Sequence, residues 1–179
     1  MNEYYGTEAC LLKSLDRGEA DRMLTFFTKD FGRVDALAKS IRLASSKLKG
    51  HALLFSRGRI IITPGREFWR LIDIEIFERC TDFPAGAAHF LLRLVPGREQ
   101  NIRIWQALSG LTQKGLFRFK IRVLESLGML PLGDDLLGYF PEESVAFIQG
   151  KSEEDELNID SKRKIQHGIE KILAENHMV

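Results

Sequence analysis

The spacing of apolar residues changes from strand-like to helix-like near residue 80, and this change limits most strongly what the chain can fold into. Before it, Ile72, Ile74 and Ile76 alternate with acidic residues, which predicts a strand with all three isoleucines on one buried face. After it, apolar residues recur every three or four positions, as in 161–176, which predicts amphipathic helices. The chain therefore divides into a β part and an α part.

The β part is predicted to contain five short strands. Lys29 to Gly32 forms a tight connection between two of them, because Gly32 adopts positive φ without steric cost. Five antiparallel strands of this length, closed on themselves, have the size of an OB-fold, and an SH3-like barrel is the main alternative. The predicted strands are 4–13, 22–28, 33–40, 53–63 and 68–79.

The α part is predicted to contain helices at 84–95, 99–114, 116–127 and 161–176, with Gly128 as a C-terminal cap and Ser161 as an N-cap. The fold class is therefore α+β: an N-terminal five-stranded antiparallel OB-fold barrel followed by an all-α helical domain. The predicted domains are 1–80, which would bind nucleic acid, and 81–179, with an acidic loop at about 130–160 that is most simply a solvated linker.

Charge is sorted along the chain although the whole chain is almost neutral, with a formal charge of +1. Residues 36–66 contain seven Lys or Arg and no Asp or Glu, whereas nine acids and one base, Lys151, lie between Asp134 and Asp160. Such sorting predicts that the basic stretch faces a polyanion. A solvated basic loop is the simpler alternative, and acidic residues leaning on the basic face are a further one.

Small barrels commonly bind oligonucleotides on one sheet face, where cations contact phosphates and aromatic rings stack on bases. Rings in the β part are supplied by Phe26, Phe27, Phe31, Phe55, Phe68 and Trp69, and most of these six must fill the barrel interior. The cations predicted to contact nucleic acid are Lys39, Arg42, Lys47, Lys49, Arg57 and Arg59.

Catalysis and cofactor binding have no sequence support. Glu19 and Asp21 lie close together and could act as a general acid and base, but at a turn such residues usually are solvated or bond backbone amides. The four histidines are scattered, and no phosphate-binding glycine motif is present. We therefore expect a protein that is not an enzyme, with no cofactor and no metal. Cys10 and Cys80 are expected to be reduced thiols, although a disulfide between them is possible in principle.

The N-terminal sequence lacks the basic start and apolar run of a secretory signal. No apolar stretch approaches the roughly 18 residues that a membrane span requires. These features predict a cytoplasmic protein without a membrane partner.

Several motifs resemble, in order and spacing, the bacterial recombination mediator family RecO. The most specific is Gly18-Glu19-Ala20-Asp21-Arg22, and the resemblance covers residues 9–56. It returns more weakly at Phe119, Leu124, Gly128 and Pro131. The other matching residues are Leu11-Leu12-Lys13-Ser14, Phe27-Thr28, Gly32, Ala38-Lys39, Arg42, 46–50 and 54–56.

The resemblance implies an OB-fold followed by a helical domain, binding of single- and double-stranded DNA, annealing of complementary strands and nucleoid association. It also implies help in loading the recombinase RecA onto DNA coated by single-stranded-DNA-binding protein. The implied partners are RecR and the acidic C-terminal tail of that coating protein. Within the family's motif, Asp21 is expected to bond backbone amides, and Arg22 either forms a salt bridge or contacts phosphate.

The chain departs from the family pattern after residue 80. Many RecO proteins carry a four-cysteine zinc motif, but no cysteine follows Cys80 here, so we expect no structural zinc. Two other hypotheses stay open from the sequence. One is an interaction adaptor that uses Trp105 and the apolar stripe at Phe117 of the helical domain, and the other is an RNA-binding OB-fold protein.

Overall fold

A computed structural model describes residues 3–178 and divides the chain into two compact units. The first unit extends to Phe83 and also takes in Val95–Trp105. The second unit comprises Pro84–Leu94 and the chain from Gln106 onward. The domain boundary predicted at residue 80 stays a prediction. Segment 95–105 belongs to the first unit, although the sequence pattern assigns it to the helical part.

The first unit is a closed five-stranded barrel with strand order β1-β2-β3-β5-β4. This confirms the predicted OB-fold barrel. One pairing differs from the all-antiparallel expectation, because β3 and β5 run parallel through Ala36↔Trp69 and Leu37↔Arg70. The strands are β1 Tyr5–Arg17, β2 Asp21–Thr28, β3 Gly32–Ala38, β4 Ser56–Thr63 and β5 Trp69–Arg79.

Alternating apolar residues of the strands fill the barrel, as in β3, where Val34, Ala36 and Ala38 are buried and the residues between them are half-buried. Each fully buried leucine, isoleucine or phenylalanine contributes roughly 1.5–3 kcal/mol to folding. The other buried members of this core are Ala9, Leu11, Leu24, Phe26, Ile41, Ala52, Ile60, Ile62, Leu71 and Ile74.

The prediction that Ile72, Ile74 and Ile76 share one buried face is wrong. The register between β4 and β5 shifts so that Ile61 pairs with Asp73 while Ile62 pairs with Leu71. Ile72 therefore has no cross-strand partner at this bulge and is 44% exposed, while Leu71 takes a place in the core.

The second unit is helical, as predicted, with α3 packed against both α1 and α5 and with α4 packed against α5. Helix α2 is shorter than predicted, and its residues divide between the two units. The helices are α1 Ala85–Leu94, α2 Ile102–Leu108, α3 Leu116–Ser126, α4 Glu142–Ile148 and α5 Ile159–Glu175.

Of the two predicted helix caps, Gly128 agrees with the structure and Ser161 does not. Gly128 follows α3 with φ of 70°, which fits its predicted role as a C-terminal cap. Ser161 is not the N-cap of α5, because the helix begins two residues earlier and the Asn158 side chain accepts the Ser161 amide hydrogen at 2.8 Å.

The acidic stretch at about 130–160 is more ordered than a loop. It contains α4 and two short 3-10 helices, Gly133–Gly138 and Glu154–Glu156. Glu154 is buried, and its carboxylate accepts hydrogen bonds from the Phe117 and Arg118 amides at the start of α3, at 3.2 and 2.9 Å. At this residue the acidic stretch is therefore a helix cap and not a solvated linker.

Candidate nucleic-acid interface

The segment that joins β3 to β4, residues 39–55, carries most of the predicted cations and is here called the basic loop. It is anchored to the barrel from inside, because Ile41 and Ala52 belong to the barrel core and Leu48 packs against it. Backbone hydrogen bonds within the loop also stabilise its turns: the Ser46 amide donates to the Leu43 carbonyl, and the His51 amide donates to the Leu48 carbonyl. The loop is thus an ordered part of the barrel.

The start of the basic loop is fixed by the turn between β1 and β2. The Asp21 carboxylate accepts the Ser40 amide hydrogen at 2.7 Å, and the Ala20 carbonyl accepts the Arg42 amide hydrogen at 2.9 Å. The expectation that Asp21 bonds a backbone amide is thereby confirmed. Ser40 has φ of 54°, so these bonds hold a strained residue where the strand ends.

Lys39, Lys47 and Lys49 all lie on this anchored loop with exposed side chains. Among residues 3–178, no carboxylate lies within salt-bridge distance of any of the three ammonium groups. A long flexible side chain with a hydrated point charge contacts phosphates without selecting sequence. These three lysines are therefore accessible to a polyanion.

Arg22 and Arg42 meet at Asp16. The Arg22 Nε lies 2.9 Å from one Asp16 oxygen, and the Arg42 Nη1 lies 3.5 Å from the other. Arg42 Nη1 also donates to the Gly18 carbonyl at 3.0 Å. Arg42 therefore ties the β1–β2 hairpin to the basic loop, whereas Arg22 forms a salt bridge within the hairpin. A phosphate contact by either arginine stays a prediction.

Arg57 and Arg59 lie on the same side of β4, two residues apart, but differ in exposure. Arg57 is 14% exposed, its Nη1 lies 2.9 Å from Glu78, and its guanidinium sits 5.3 Å from the Trp105 ring centroid. Arg59 is exposed and lies opposite Glu8 and Glu75 in the strand registers, but it forms no salt bridge with any residue in 3–178. A phosphate contact by either arginine stays a prediction.

Sequence reasoning missed Asp16, which decides how much positive charge this surface presents. Asp16 pairs with Arg22 across the β1–β2 hairpin, and opposite charges in such a register attract. The pairing register of the β1–β2 hairpin would have identified the contact between Asp16 and Arg22. Trp105, which the adaptor hypothesis places in the helical part, is 4% exposed and belongs to the barrel unit.

Within 3–178, no three His, Cys, Asp or Glu side chains are grouped as a metal ion would require. Cys10 and Cys80 are free thiols, and burial of the Cys10 side chain raises its pKa to about 12. No helix in this part of the chain has the length and apolar character needed to cross a membrane.

The first unit is thus an OB-type barrel that displays a basic loop. Its sequence, residues 1–79, matches the model of a protein family described as Recombination protein O N terminal. The barrel of this chain is thus similar in sequence to the N-terminal part of the RecO family.

Curated relatives extend the similarity beyond the barrel. The chain is 33% identical to the DNA repair protein RecO of Acaryochloris marina over 118 residues, which are 65% of this chain and 39% of that protein. It is 30% identical to the DNA repair protein RecO of Nostoc over 135 residues, 75% of this chain and 44% of that protein. It is 35% identical to the DNA repair protein RecO of Synechococcus elongatus over 100 residues, which are 53% of this chain and 38% of that protein. The chain spans less than half the length of these three relatives.

Proposed function

We propose that this chain acts in recombinational DNA repair as a non-catalytic mediator that binds single- and double-stranded DNA through the basic loop. The observation that carries the proposal is the set of three exposed lysines, Lys39, Lys47 and Lys49, on a loop that the barrel core holds in place. The names of the relatives, which are DNA repair proteins, support the same role.

The proposed activity is annealing of complementary strands, which the resemblance to RecO implies and which a cationic surface would assist. Two single strands repel each other through their phosphates, and a cationic surface that neutralises some of these phosphates lowers that repulsion. Lysine is suited to this, because its ammonium group binds phosphate as a point charge and lets the strands shift in register. No bond is formed or broken, which is why we propose no enzymatic step.

The finer parts of the proposal rest on the family resemblance. We expect the chain to help load a recombinase onto coated single strands and to act in the cytoplasm on nucleoid DNA. The proposed partners are RecR and the acidic C-terminal tail of single-stranded-DNA-binding protein. Because the chain spans less than half of the relatives compared, each partner has to be tested with this chain itself.

A strand-annealing assay tests the proposal, run with and without the coating protein. The double variant Lys47→Glu and Lys49→Glu should slow annealing and weaken DNA binding whatever the DNA sequence, because two phosphate contacts become repulsions. The matched control is Lys162→Glu with Arg163→Glu, which changes the formal charge equally on helix α5 of the other unit.

The result that would contradict the proposal is equal annealing by the two double variants. If the wild-type chain does not accelerate annealing in either condition, the adaptor and RNA-binding hypotheses remain. Competition between RNA and DNA of equal length then separates those two, because recognition of the 2′-hydroxyl gives a preference for RNA.

A further inference from the structure

We propose that the barrel also carries a pocket for one unpaired nucleobase, formed by Phe31, Phe68 and Trp69. The inference rests on the proposed DNA binding, and it identifies which aromatic side chains hold a base. The pocket lies at the β4–β5 turn and not on the basic loop. Its ligand is a base of a single strand, held with its neighbouring phosphates.

The rings that form the pocket are fixed before any ligand arrives. The Phe31 and Trp69 ring centroids lie 5.7 Å apart, and the Tyr5 ring stands edge-on to both, at 5.7 and 5.6 Å. All three rings pack against the barrel core and remain partly exposed. A rigid ring that is already partly dehydrated loses little entropy when a flat ligand stacks on it.

The Phe68 ring is held in place by an arginine. The Arg17 guanidinium carbon lies 4.8 Å from the centroid of the Phe68 ring, which is cation–π distance. Phe31, Phe68 and Trp69 then line an open pocket of about 280 Å³. This volume lies just below the range of roughly 300–1,000 Å³ found for drug-sized ligands, and it fits a single flat group.

Charge around the pocket specifies the class of ligand. Arg66, Arg98 and Glu67 line it and are exposed, so its charged side chains carry one net positive charge. Within residues 3–178 neither arginine forms a salt bridge. Arg98 is held at φ of 65° while its amide donates to the Arg33 carbonyl at 3.1 Å. Stacking surface beside two unpaired guanidinium groups matches a base flanked by phosphates.

The pocket gives the barrel a preference that the basic loop lacks. Lysines on the loop contact phosphates of single and double strands alike. A base inside a duplex is stacked and paired, so it enters such a pocket only after it has been pulled out at a cost of a few kcal/mol. Single strands therefore gain a contact that duplexes do not, which suits a protein that collects unpaired strands. Base and phosphates are common to DNA and RNA, so the test uses oligonucleotides of both.

Tryptophan fluorescence tests the pocket directly, because a base stacked on Trp69 quenches it. The chain contains two tryptophans, and Trp105 is buried and serves as an internal reference. Binding of a single-stranded oligonucleotide should quench the wild type and the Trp105→Phe variant but not Trp69→Phe. A duplex of the same length should quench less. Quenching that survives in Trp69→Phe would overturn the proposal.

A second measurement compares affinities and does not depend on Trp69. Phe68→Ala should weaken single-strand binding by about 5- to 150-fold, the effect of losing one stacked base. The loss should vanish with an oligonucleotide that lacks all its bases. The matched control is Phe77→Ala, because Phe77 is 57% exposed on β5 and is not part of the pocket. Equal affinities of the two variants would contradict the pocket.

The outcomes separate this inference from the proposed function. If the wild type binds DNA and the pocket variants bind it equally well, the pocket is wrong and the basic-loop proposal stands. If the wild type binds no polynucleotide, both are wrong. Preference for DNA or for RNA in the quenching assay identifies which single strand the pocket takes. Quenching by an aromatic peptide and not by any oligonucleotide would overturn the nucleobase assignment.

Discussion

Two aspartates next to the β1–β2 turn determine how the cations of the barrel are used. Asp21 holds the start of the basic loop by accepting a hydrogen bond from the Ser40 amide. Asp16 binds both Arg22 and Arg42, so these two arginines stabilise the hairpin while the loop lysines remain accessible. Exposed ion pairs of this kind each contribute about 0–1 kcal/mol to stability, so their larger effect is on the net positive charge that the barrel surface presents.

Replacing Asp16 by alanine should therefore strengthen DNA binding. The change releases Arg22 and Arg42 for phosphate contacts, and two added contacts to a single strand steepen the slope of log K against log salt by about 1.4. Fluorescence-anisotropy titrations at several salt concentrations measure this slope. Glu19→Ala is the matched control, because it removes an equal charge from the same turn, where Glu19 is exposed and binds no cation within the described residues. An identical slope for both variants would contradict the assignment.

Glu154 provides a residue-level test of the helical unit. Glu154→Ala should lower the free energy of unfolding by about 1–2 kcal/mol, because two amides at the start of α3 lose their acceptor in a buried place. Urea unfolding followed by circular dichroism measures the loss. The neighbouring Asp155→Ala should change stability by less than about 0.5 kcal/mol, since Asp155 is exposed and its salt bridge is to the exposed Lys114. A similar loss for both would remove the capping role.

At the scale of elements, the β2–β3 hairpin shows what a local pattern predicts and what it leaves out. The turn at Gly32 was predictable, and Gly32 has φ of 62°. The sequence pattern did not reveal that the backbone of Glu99 passes against this turn, so close that an added Cβ would lie 2.0 Å from the Glu99 carbonyl oxygen. Gly32 therefore serves both the turn and the docking of segment 95–105 within the barrel unit.

Two glycine substitutions separate these roles. Gly18→Ala should cost about 1–2 kcal/mol, because alanine is strained at its φ of 63° but meets no atom within 4 Å. Gly32→Ala should cost a further 1–3 kcal/mol or so, because a backbone carbonyl has to move as well. Thermal unfolding of both variants measures the difference. Equal losses would show that segment 95–105 does not press on the turn.

At the scale of the whole molecule, the sequence predicted the two-part architecture because hydrophobic period is a local property. Local pattern also placed the basic loop and the helix cap at Gly128. Features that depend on residues distant in sequence were missed, namely the bulge that exposes Ile72, the arginine pairs of Asp16 and the capping of α3 by Glu154. Each follows from strand register or packing, which period and propensity do not encode. For the same reason the sequence could name six aromatic rings but not the three that line one pocket.

The central claim is that Lys39, Lys47 and Lys49 contact phosphates, and the salt dependence of single-strand binding tests it most directly. Changing all three lysines to glutamine should make the slope of log K against log salt shallower by about 2, which is three times the contribution of one single-strand contact. The Asp16 and Glu19 variants provide the comparison within the same barrel. A wild-type slope that is unchanged in the triple variant would contradict the account.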